Sequence, residues 1–411
     1  MQTTDKRMRI LAGVGIAALV LGLVGWALQL TGGLLAGSGM TNIFLWGLMI
    51  ALFAFMVGFG AGSQLVATAI YLFGGDDLKP IARIAAACGL ACVGAAGVAI
   101  LADLGAVRNL MAMIVGLNLR SPLAWDMISM TAFIVLSVVQ LVAIARRSPR
   151  VKLWAALAGI AAVVLQVVEG LLFSTQTAHS WWATPIMPVD FLAVAVVSGA
   201  ALMLLIACVQ GAPAKVTAWL GRLCAIAIAV HLVLALGDLA LVALEGTPQA
   251  GGVLAAIGAV WPLYACELLL PAAAMVMLFV AGRGGGKRAD GSRIGLVASI
   301  LVIVGIFTHR LMLLYPAYNA PSLYLTLSGT DVTTGPYPIS TGRYLDWDAT
   351  FALGTPYMPA GLEWLAGLLP FGVAIVATLV ILWVMRKIGG AGADEAPAVA
   401  RGAHASSGEE G

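Results

Sequence analysis

Two carboxylates stand where one long apolar run ends and the next begins. Asp103 closes the first run and Asp126 opens the second, so both should lie at the same membrane face, just inside the hydrocarbon boundary. A carboxylate costs roughly 2.5 to 3.5 kcal/mol at the centre of an inserted helix and less near its ends, so such residues mark candidate sites of proton exchange. In the alternative interpretation, Asp103 only ends its helix, and Asp126 caps the helix that starts at Pro122.

A second group of titratable side chains lies in the later apolar runs. His231 and Asp238 are seven residues apart, which places them on one helix face about 10 Å apart along the axis, as two steps of a proton relay. The alternative is that His231 is hydrogen-bonded to a neighbouring helix. Tyr264 and Glu267 also share a face, in a helix that two flanking prolines should kink around Glu267.

An arginine follows a histidine near the end of the ninth apolar run. A buried guanidinium needs an acidic partner, and the candidates for Arg310 are Asp238 and Glu267. In the alternative interpretation, the apolar part of the Arg310 side chain stays in the membrane while its guanidinium reaches the outer water. We therefore predict that Glu267, Tyr264, His309 and Arg310 serve a proton path or charge pairing.

The composition identifies a polytopic membrane protein. Of 411 residues 61% are hydrophobic and only 10% are charged, and the mean hydropathy is +1.01; a soluble chain of this length needs far more charged surface. The net charge of +3 suggests no nucleic-acid partner. The five cysteines lie in apolar segments without a Cys-x-x-Cys pair, so they are predicted to be packing residues rather than ligands of an iron–sulfur cluster or a covalent haem.

Ten segments have the roughly 20 mostly apolar residues that a spanning helix needs. They are residues 10–30, 43–73, 81–103, 122–145, 153–173, 188–209, 217–243, 253–281, 294–315 and 363–385. The predicted fold is an all-α membrane protein with about ten spans in two packed bundles. Its predicted parts are a cytoplasmic N-terminus (1–9), a nine-helix domain (10–315), an outer aromatic loop (316–362), a tenth helix (363–387) and a disordered cytoplasmic tail (388–411).

The basic residues predict the orientation. If the N-terminus is cytoplasmic, eighteen of the 22 Lys and Arg residues fall in inner segments, and only Arg108, Arg120 and Arg343 fall outside. This asymmetry favours ten spans with both termini in the cytoplasm, because Lys and Arg concentrate in cytoplasmic loops.

With that orientation the intramembrane carboxylates gather near the outer face. They are Asp103, Asp126, Glu169, Asp190, Asp238 and Glu363. A chance scatter would not segregate in this way, so we predict a proton-exchanging site near the outer face. The outer loop is rich in Tyr and Trp, which suggests a docking surface for another protein; an aromatic belt at the membrane interface is the alternative.

Several stretches resemble the NrfD/PsrC family of quinone-reactive membrane subunits. The run W-G-L-M-I-A-L-F-A-F-M-V-G-F-G-A-G from Trp46 to Gly62 resembles the glycine-rich opening helix of that family. D-L-G-A-V-R-N from Asp103 and L-N-L-R-S-P-L-A-W-D ending at Asp126 resemble its D-L-G-R and S-P-x-x-W signatures. H-S-W-W-A-T-P-I-M-P-V-D from His179 resembles its W-x-T-P-x-x-P stretch. With ten predicted spans, the chain resembles the longer branch of the family, which includes membrane subunits of alternative complex III and hydrogenase-linked relatives.

The sequence departs from the family pattern at three places. Ala106 replaces the arginine of D-L-G-R, with Arg108 two residues later. The acid–arginine pair that is often found in the penultimate span is His309 and Arg310 here. Asp190 stands where an apolar residue is usual.

The resemblance implies a membrane subunit of a respiratory oxidoreductase in the cytoplasmic membrane of a prokaryote. Such a subunit binds quinone or menaquinone near the outer face and holds no haem or iron–sulfur cluster itself. It exchanges electrons with an attached iron–sulfur subunit that serves a molybdopterin enzyme or a multihaem cytochrome. The chain alone shows no complete active site for a terminal substrate.

Quinol oxidation releases two protons with two electrons, so the site needs proton acceptors. The predicted acceptors are Asp126, Asp103, Glu169, His231 and Asp238. Asp126 is the principal one, because it follows Trp125 in the most specific motif. Ser129 lies one turn on and is expected to hold the Asp126 carboxylate in place, so Trp125, Ser129 and Asp126 are predicted to contact the quinone.

Two other classes of protein fit parts of the pattern. A secondary transporter would also place charges and broken helices inside the membrane. A b-type cytochrome-like membrane anchor would use His231 and His309 as haem ligands on different helices.

Overall fold

The computed structural model describes residues 2–32, 38–40, 46–104, 111, 114–177, 179–283, 291–319 and 358–389. Within these ranges the regular structure is helical and contains no β-strand. Ten helices in them are long and apolar enough to cross a membrane. The predicted all-α architecture with ten spans is therefore confirmed.

Twelve α-helices follow one another in the described ranges and together account for the ten predicted spans, the eighth and tenth of which contain two helices each. In chain order they are α1 (Gln2–Gly32), α2 (Leu48–Phe73), α3 (Lys79–Asp103), α4 (Pro122–Ala145), α5 (Val151–Ser174), α6 (Met187–Gln210), α7 (Ala214–Glu245), α8 (Pro248–Ala259), α9 (Trp261–Arg283), α10 (Gly291–Asn319), α11 (Gly361–Ala366) and α12 (Leu368–Gly389).

The eighth predicted span is interrupted, although not where it was expected. It consists of α8 and α9, with Val260 between them. Pro262 is the second residue of α9, where a missing N–H leaves no helical hydrogen bond unmade. Glu267 and Pro271 both lie inside α9, so the interruption at Val260 comes before the position around which the kink was predicted.

Helix bounds also extend some predicted segments. α1 begins at Gln2, within the predicted N-terminal extension. α10 continues to Asn319, and α11 begins at Gly361, both inside the predicted outer loop. The rest of that loop and the tail after Gly389 lie outside the described residues.

Helix α2 lies at the centre of the bundle, because it is apolar on all sides and has small residues where other helices approach. A Cβ atom at Gly62 would collide with the backbone of Ala195 on α6, and one at Gly199 on α6 would collide with the backbone of Gly62. Gly60 is in similar contact with Gly89 on α3. The glycine-rich stretch of α2 thus serves close helix packing, as small residues do in membranes.

Helices α1 and α12 form an outer layer. Gly22 of α1 touches the backbone of Leu369, and Gly372 of α12 touches the backbone of Leu19. α12 in turn packs on α3, whereas the apolar residues of α1 are largely exposed, with Ile10, Val14, Ile16 and Val20 each more than half accessible. These exposed apolar side chains suit contact with lipid.

The two ends of the described chain lie at one membrane face. Arg7 near the start of α1 and Arg386 near the end of α12 line the same cavity. We call this the terminus face, and the other the opposite face. α3 ends at the opposite face, and α4 and α6 begin there, so Asp103, Asp126 and Asp190 lie toward it.

Candidate functional site

Four helices bring two histidines and two carboxylates into one hydrogen-bonded chain. His231 Nδ1 on α7 lies 2.9 Å from Asp190 Oδ1 on α6. Asp190 Oδ2 lies 3.2 Å from His309 Nε2 on α10. His309 Nδ1 lies 2.8 Å from Glu267 Oε1 on α9. We call this set, His231–Asp190–His309–Glu267, the histidine–carboxylate chain.

His309 is the central link because both of its ring nitrogens face carboxylate oxygens. A neutral imidazole has one N–H donor, whereas an imidazolium has two. Either His309 carries both protons, or one of the neighbouring carboxyl groups carries the second. The two states differ by the position of one proton, so the chain has the geometry of a proton relay.

A small cavity of about 30 Å³ lies beside this chain. That volume accommodates on the order of one or two water molecules. Asp238 and Tyr264 line it together with Asp190, Glu267 and His309. The Tyr264 hydroxyl, Asp238 Oδ1 and Glu267 Oε2 are buried and have no hydrogen-bond partner within the described ranges. Buried polar atoms normally have partners, so these atoms mark a place for a polar ligand.

Two tryptophans fix the end of α10 against the segment before α6. Pro316 lies inside α10 and has no N–H, so the carbonyl of Met312, four residues earlier, lacks its helical donor. The Trp181 indole N–H donates to that carbonyl at 3.0 Å. The Trp182 indole N–H donates to the Leu313 carbonyl at 2.6 Å. These bonds set the position of α10 relative to α6, and hence that of His309 relative to Asp190.

A second polar group is buried among α4, α5, α6 and α10. Asp126 of α4 is 2% exposed, and Glu169 of α5 and Arg310 of α10 are fully buried. Gln166 Nε2 donates to Glu169 Oε2 at 3.0 Å. The charges that act on Glu169 are those of Arg310 and Asp126. We call these three charged residues the Glu169 cluster.

Arg310 lies over an aromatic ring. Its guanidinium carbon is 4.2 Å from the centroid of Phe191, a cation–π distance. Gly58 of α2 leaves room for it, since a Cβ atom there would lie 3.4 Å from Arg310 Nη2. Two consecutive residues of α6 thus contact two consecutive residues of α10: Asp190 contacts His309, and Phe191 contacts Arg310. Each pair belongs to one of the two groups.

The structure separates several residues that were predicted to act together. His231 contacts Asp190, so the alternative of a hydrogen bond to a neighbouring helix is confirmed for it. Asp238 lines the cavity instead. The carboxyl group of Asp103 interacts electrostatically with that of Glu363, and the carboxyl group of Asp126 with that of Glu169. Asp103 and Asp126 do not form a pair in the described ranges.

The residues around Asp126 are arranged differently from the prediction. The Ser129 hydroxyl donates to the backbone carbonyl of Asp126 at 2.9 Å rather than to its carboxylate. The Asp126 Oδ1 atom has no hydrogen-bond partner among the described residues. Trp125 is 51% exposed and donates from its indole N–H to the Leu119 carbonyl at 2.9 Å. Trp125 therefore lies on the outside of the bundle, next to a buried carboxylate.

Arg310 departs from both of its predicted arrangements. It is fully buried, so it does not extend to the outer water. Neither Asp238 nor Glu267 lies within 4.0 Å of it, and its guanidinium nitrogens have no hydrogen-bond partner in the described part of the chain. Glu169, Asp190 and Glu267 surround it at longer range.

The two histidines are not arranged as axial ligands of one haem. Their ring centroids are 4.9 Å apart at an interplanar angle of 82°. A macrocycle held between two imidazoles needs both ring nitrogens to point at one iron, whereas here each ring is in edge contact with the other and bound to Asp190. This geometry favours a hydrogen-bonded relay over the cytochrome alternative in which His231 and His309 hold a haem between them.

Sequence reasoning did not assign a role to Asp190, Trp181 or Phe191. Asp190 carried the signal of an intramembrane acid in the first turn of a helix, which is a functional candidate by default. The role of Trp181 depends on Pro316, which lies 135 positions later in the chain. The link between them follows only from the packing of α10 against the segment before α6.

Comparisons with known proteins identify the family of this chain. The family profile described as Polysulphide reductase, NrfD matches residues 37–322. A putative dimethyl sulfoxide reductase membrane subunit of Halobacterium salinarum is 32% identical over 261 residues, 58% of this chain and 60% of that protein. A selenate reductase subunit of Mesobacillus selenatarsenatis is 24% identical over 353 residues, 74% of this chain and 80% of that protein.

A third relative is an Hdr-like menaquinol oxidoreductase integral membrane subunit of Archaeoglobus fulgidus. It is 26% identical over 168 residues, which are 41% of this chain and 42% of that protein. The match thus spans less than two thirds of the Halobacterium and Archaeoglobus proteins. The family profile, by contrast, covers most of this chain. By that match, the chain belongs to the NrfD (polysulphide reductase) family.

Proposed function

We propose that this chain is the quinone-reactive membrane subunit of a multi-subunit oxidoreductase in a prokaryotic cytoplasmic membrane. In this proposal it exchanges electrons between a quinone pool, such as menaquinone, and an attached iron–sulfur subunit. That subunit would serve a molybdopterin enzyme or a multihaem cytochrome. The names of the relatives support the proposal, since two are subunits of reductases, one of them a membrane subunit, and the third belongs to a menaquinol oxidoreductase.

The observation that carries the proposal is the histidine–carboxylate chain beside its cavity. Each quinol that is oxidised must release two protons, and His231, Asp190, His309 and Glu267 form a continuous hydrogen-bonded chain that can accept a proton and share it among its members. General acid–base groups that are held at hydrogen-bond distance typically contribute 10²–10⁴ in rate.

Asp238 is the entrance to this route. It is partly exposed and lines the cavity, and the nearby Val233 and Leu236 on the same helix are exposed apolar residues that would face lipid. The cavity is too small for a quinone ring, so the ring would bind on the lipid side of Asp238. Asp238 would accept a proton from the quinol hydroxyl and pass it through the cavity to Glu267 and His309.

The orientation is part of the proposal. The terminus face carries Lys6, Arg7, Arg83, Arg147 and Arg386, so it would be cytoplasmic, and the site would lie near the outer face. Reporter fusions after Arg150 and after Gly246 should report the cytoplasm and the outside, respectively. Finding both reporters on one side would contradict the arrangement.

The proposed function is tested by quinol oxidation in the purified complex. Replacing Asp238 by Asn keeps the size of the side chain and removes its ability to accept a proton. We expect turnover of a menaquinol analogue to fall by roughly 10². The matched control is Glu245→Gln, an exposed carboxylate at the end of the same helix, which should leave turnover within about twofold of the wild type.

Two results would contradict the proposal. One is normal quinol turnover in Asp238→Asn with all subunits present. The other is a purified complex that lacks quinol activity altogether but moves a solute with protons in vesicles, which would favour the transporter alternative.

A further inference from the structure

A large cavity opens at the terminus face, away from both polar groups described above. It lies between the outer layer, α1 and α12, and the inner helices α2, α3 and α6, and its volume is about 1000 Å³. Its wall is mainly apolar and includes Phe55, Phe59, Leu202, Phe371 and Leu379. A volume of this size is at the upper end for small-molecule sites.

Four arginines stand at the mouth of this cavity. Arg7 is near the start of α1, Arg83 near the start of α3, Arg147 just after α4 and Arg386 near the end of α12. None of the described residues that line the cavity is acidic. Arg7 is fixed there, because its Nη1 donates to the Val209 carbonyl at 2.7 Å. The mouth is therefore strongly positive.

The two carboxylates just before α3 are already engaged with lysines. Asp76 forms an ion pair with Lys79 at 2.6 Å, and Asp77 forms one with Lys215 at 2.7 Å. Neither pair includes an arginine of the cavity mouth. The described lining residues offer no carboxylate to Arg7, Arg83 or Arg386, so these arginines would favour an external anion. A headgroup that carries both charges would bring a cation for which the described lining offers no acid.

The depth of the cavity matches one leaflet of a bilayer. Arg386 and Phe371 are 15 residues apart on α12, which corresponds to about 22 Å along the helix. One leaflet with its headgroup region is about 20 to 22 Å thick, half of the roughly 40 to 45 Å of a whole bilayer. The cavity is positive at the level of the headgroups and apolar through the depth of one leaflet. It is therefore complementary to a phospholipid with a negative headgroup.

We propose that this cavity binds one anionic diacyl phospholipid, with its phosphate at the arginines and its acyl chains between α12 and the inner helices. Basic pockets between spanning helices suit anionic headgroups. The other polar lining groups are less suited to a quinone. Thr378 already donates its hydroxyl to the Ala374 carbonyl at 2.7 Å, and Cys88 and Cys92 are poor proton acceptors. The lipid would fill the space between α1 and the core.

Native mass spectrometry of the purified complex tests this site. The complex is washed in detergent and then offered phosphatidylglycerol or phosphatidylcholine at equal concentration. We expect one phosphatidylglycerol to be retained per chain and phosphatidylcholine to be retained at least tenfold less. This comparison uses the unaltered protein, so it does not depend on the folding of any variant.

Two variants and a matched control locate the lipid. Arg83→Gln combined with Arg386→Gln should lower phosphatidylglycerol retention at least tenfold, and Leu379→Trp, which fills the apolar wall, should lower it as well. The control combines Arg146→Gln with Arg150→Gln, two exposed arginines of the same face that do not line the cavity, and should retain the lipid. Quinol turnover of the arginine variant should stay within about twofold of the wild type.

The proposal is overturned by any of four results. These are equal retention of the two phospholipids, retention of phosphatidylglycerol by the Arg83 and Arg386 variant, loss of the lipid from the control, or a quinone as the molecule that Leu379→Trp displaces. None of these results depends on whether Asp238 accepts protons, so this site and the proposed function fail separately.

Discussion

The two buried polar groups share α10 but differ in how their members are connected. In the histidine–carboxylate chain every neighbouring pair is within hydrogen-bond distance, and the chain borders a cavity and the partly exposed Asp238. In the Glu169 cluster, Asp126, Glu169 and Arg310 are buried and act on one another mainly through charge. The first arrangement can pass a proton along, whereas the second fixes a charge beside it.

This difference assigns separate roles to two adjacent residues. His309 enters the chain with both ring nitrogens, and Arg310 lies on Phe191 and faces the cluster. A positive charge held so close to the relay favours carboxylate charge on both sides of α10, since opposite charges attract strongly in a medium of low polarity. The Glu169 cluster is thus expected to set the electrostatic conditions in which the chain works.

The strongest test of the comparison is Asp190→Asn. Asp190 joins the two histidines, and an amide in its place can no longer accept from both. We expect quinol turnover to fall by about 10³, within the range of positioned acid–base catalysis. Ser198→Ala on the same helix is the control, because its hydroxyl is buried but only donates to the Val194 carbonyl. Equal losses in both variants, with assembly intact, would contradict a relay through Asp190.

The next largest effect is expected for Asp126→Asn. The position of Asp126 after Trp125 predicts that it accepts a quinol proton, and a second proton route through Asp126 would lower turnover by roughly 10² while the subunits remain assembled. A residue of the Glu169 cluster that only fixes charge beside the relay would lower turnover by less than about tenfold. Asp103→Asn should have a smaller effect, because Asp103 acts with Glu363 rather than with Asp126. The measurement is quinol-analogue oxidation with subunit stoichiometry checked. Near-normal turnover in Asp126→Asn would leave the histidine–carboxylate chain as the only proton route of the two.

The ten spans and the placement of acids near one end of their helices could be predicted from hydropathy and from the positions of the carboxylates. The pairing of side chains could not. His231 is 41 residues from Asp190, and His309 is 42 residues from Glu267. Periodicity places a residue on a face of its own helix, but the neighbour of that face is decided by packing between helices. The close contact of Gly62 with α6 is one of the packing contacts that determine which helix faces meet.

The local details failed for a related reason. Ser129 was expected to hold the Asp126 carboxylate, because the two share a helix face. In a helix, however, a serine hydroxyl can donate to a backbone carbonyl in the preceding turn, and Ser129 does so. The break at Val260 was not predicted, because a proline within an apolar run predicts a kink in a continuous helix, whereas Pro262 stands in the first turn of α9, where proline is tolerated.

A double-mutant cycle measures the charge coupling within the Glu169 cluster. Glu169→Gln or Arg310→Met alone leaves one buried charge without its opposite, which is destabilising. Each single variant should lower the thermal midpoint of the purified complex, by roughly 2 to 4 °C for each kcal/mol lost. The double variant should melt higher than the sum of the two shifts predicts. Strictly additive shifts would show that the two residues do not interact.

The smallest expected effect concerns His179, which lies in the connection before α6 and contacts the end of α10. His179 Nδ1 is 3.0 Å from the Ala317 carbonyl, and burial lowers the pKa of this histidine, an effect that the carbonyl contact partly offsets. A histidine whose pKa is lower in the folded state contributes stability above the unfolded pKa of about 6.5. That stability is lost as the pH falls from there through the folded pKa.

Acidification from pH 7.5 to 5.0 should therefore lower the thermal midpoint more in the wild type than in His179→Gln, whose amide can still donate to Ala317. The other titrating groups are common to both proteins, so the difference between their pH profiles isolates His179. His179 and the two tryptophans hold α10, which carries both His309 and Arg310. Acidification should therefore also lower quinol turnover, while the losses caused by Asp190→Asn and Asp126→Asn relative to the wild type should stay the same. Parallel pH profiles of the thermal midpoint in the wild type and His179→Gln would show that His179 does not hold α10. If pH changed the turnover of only one of the two aspartate variants, the histidine–carboxylate chain and the Glu169 cluster would be positioned independently of each other.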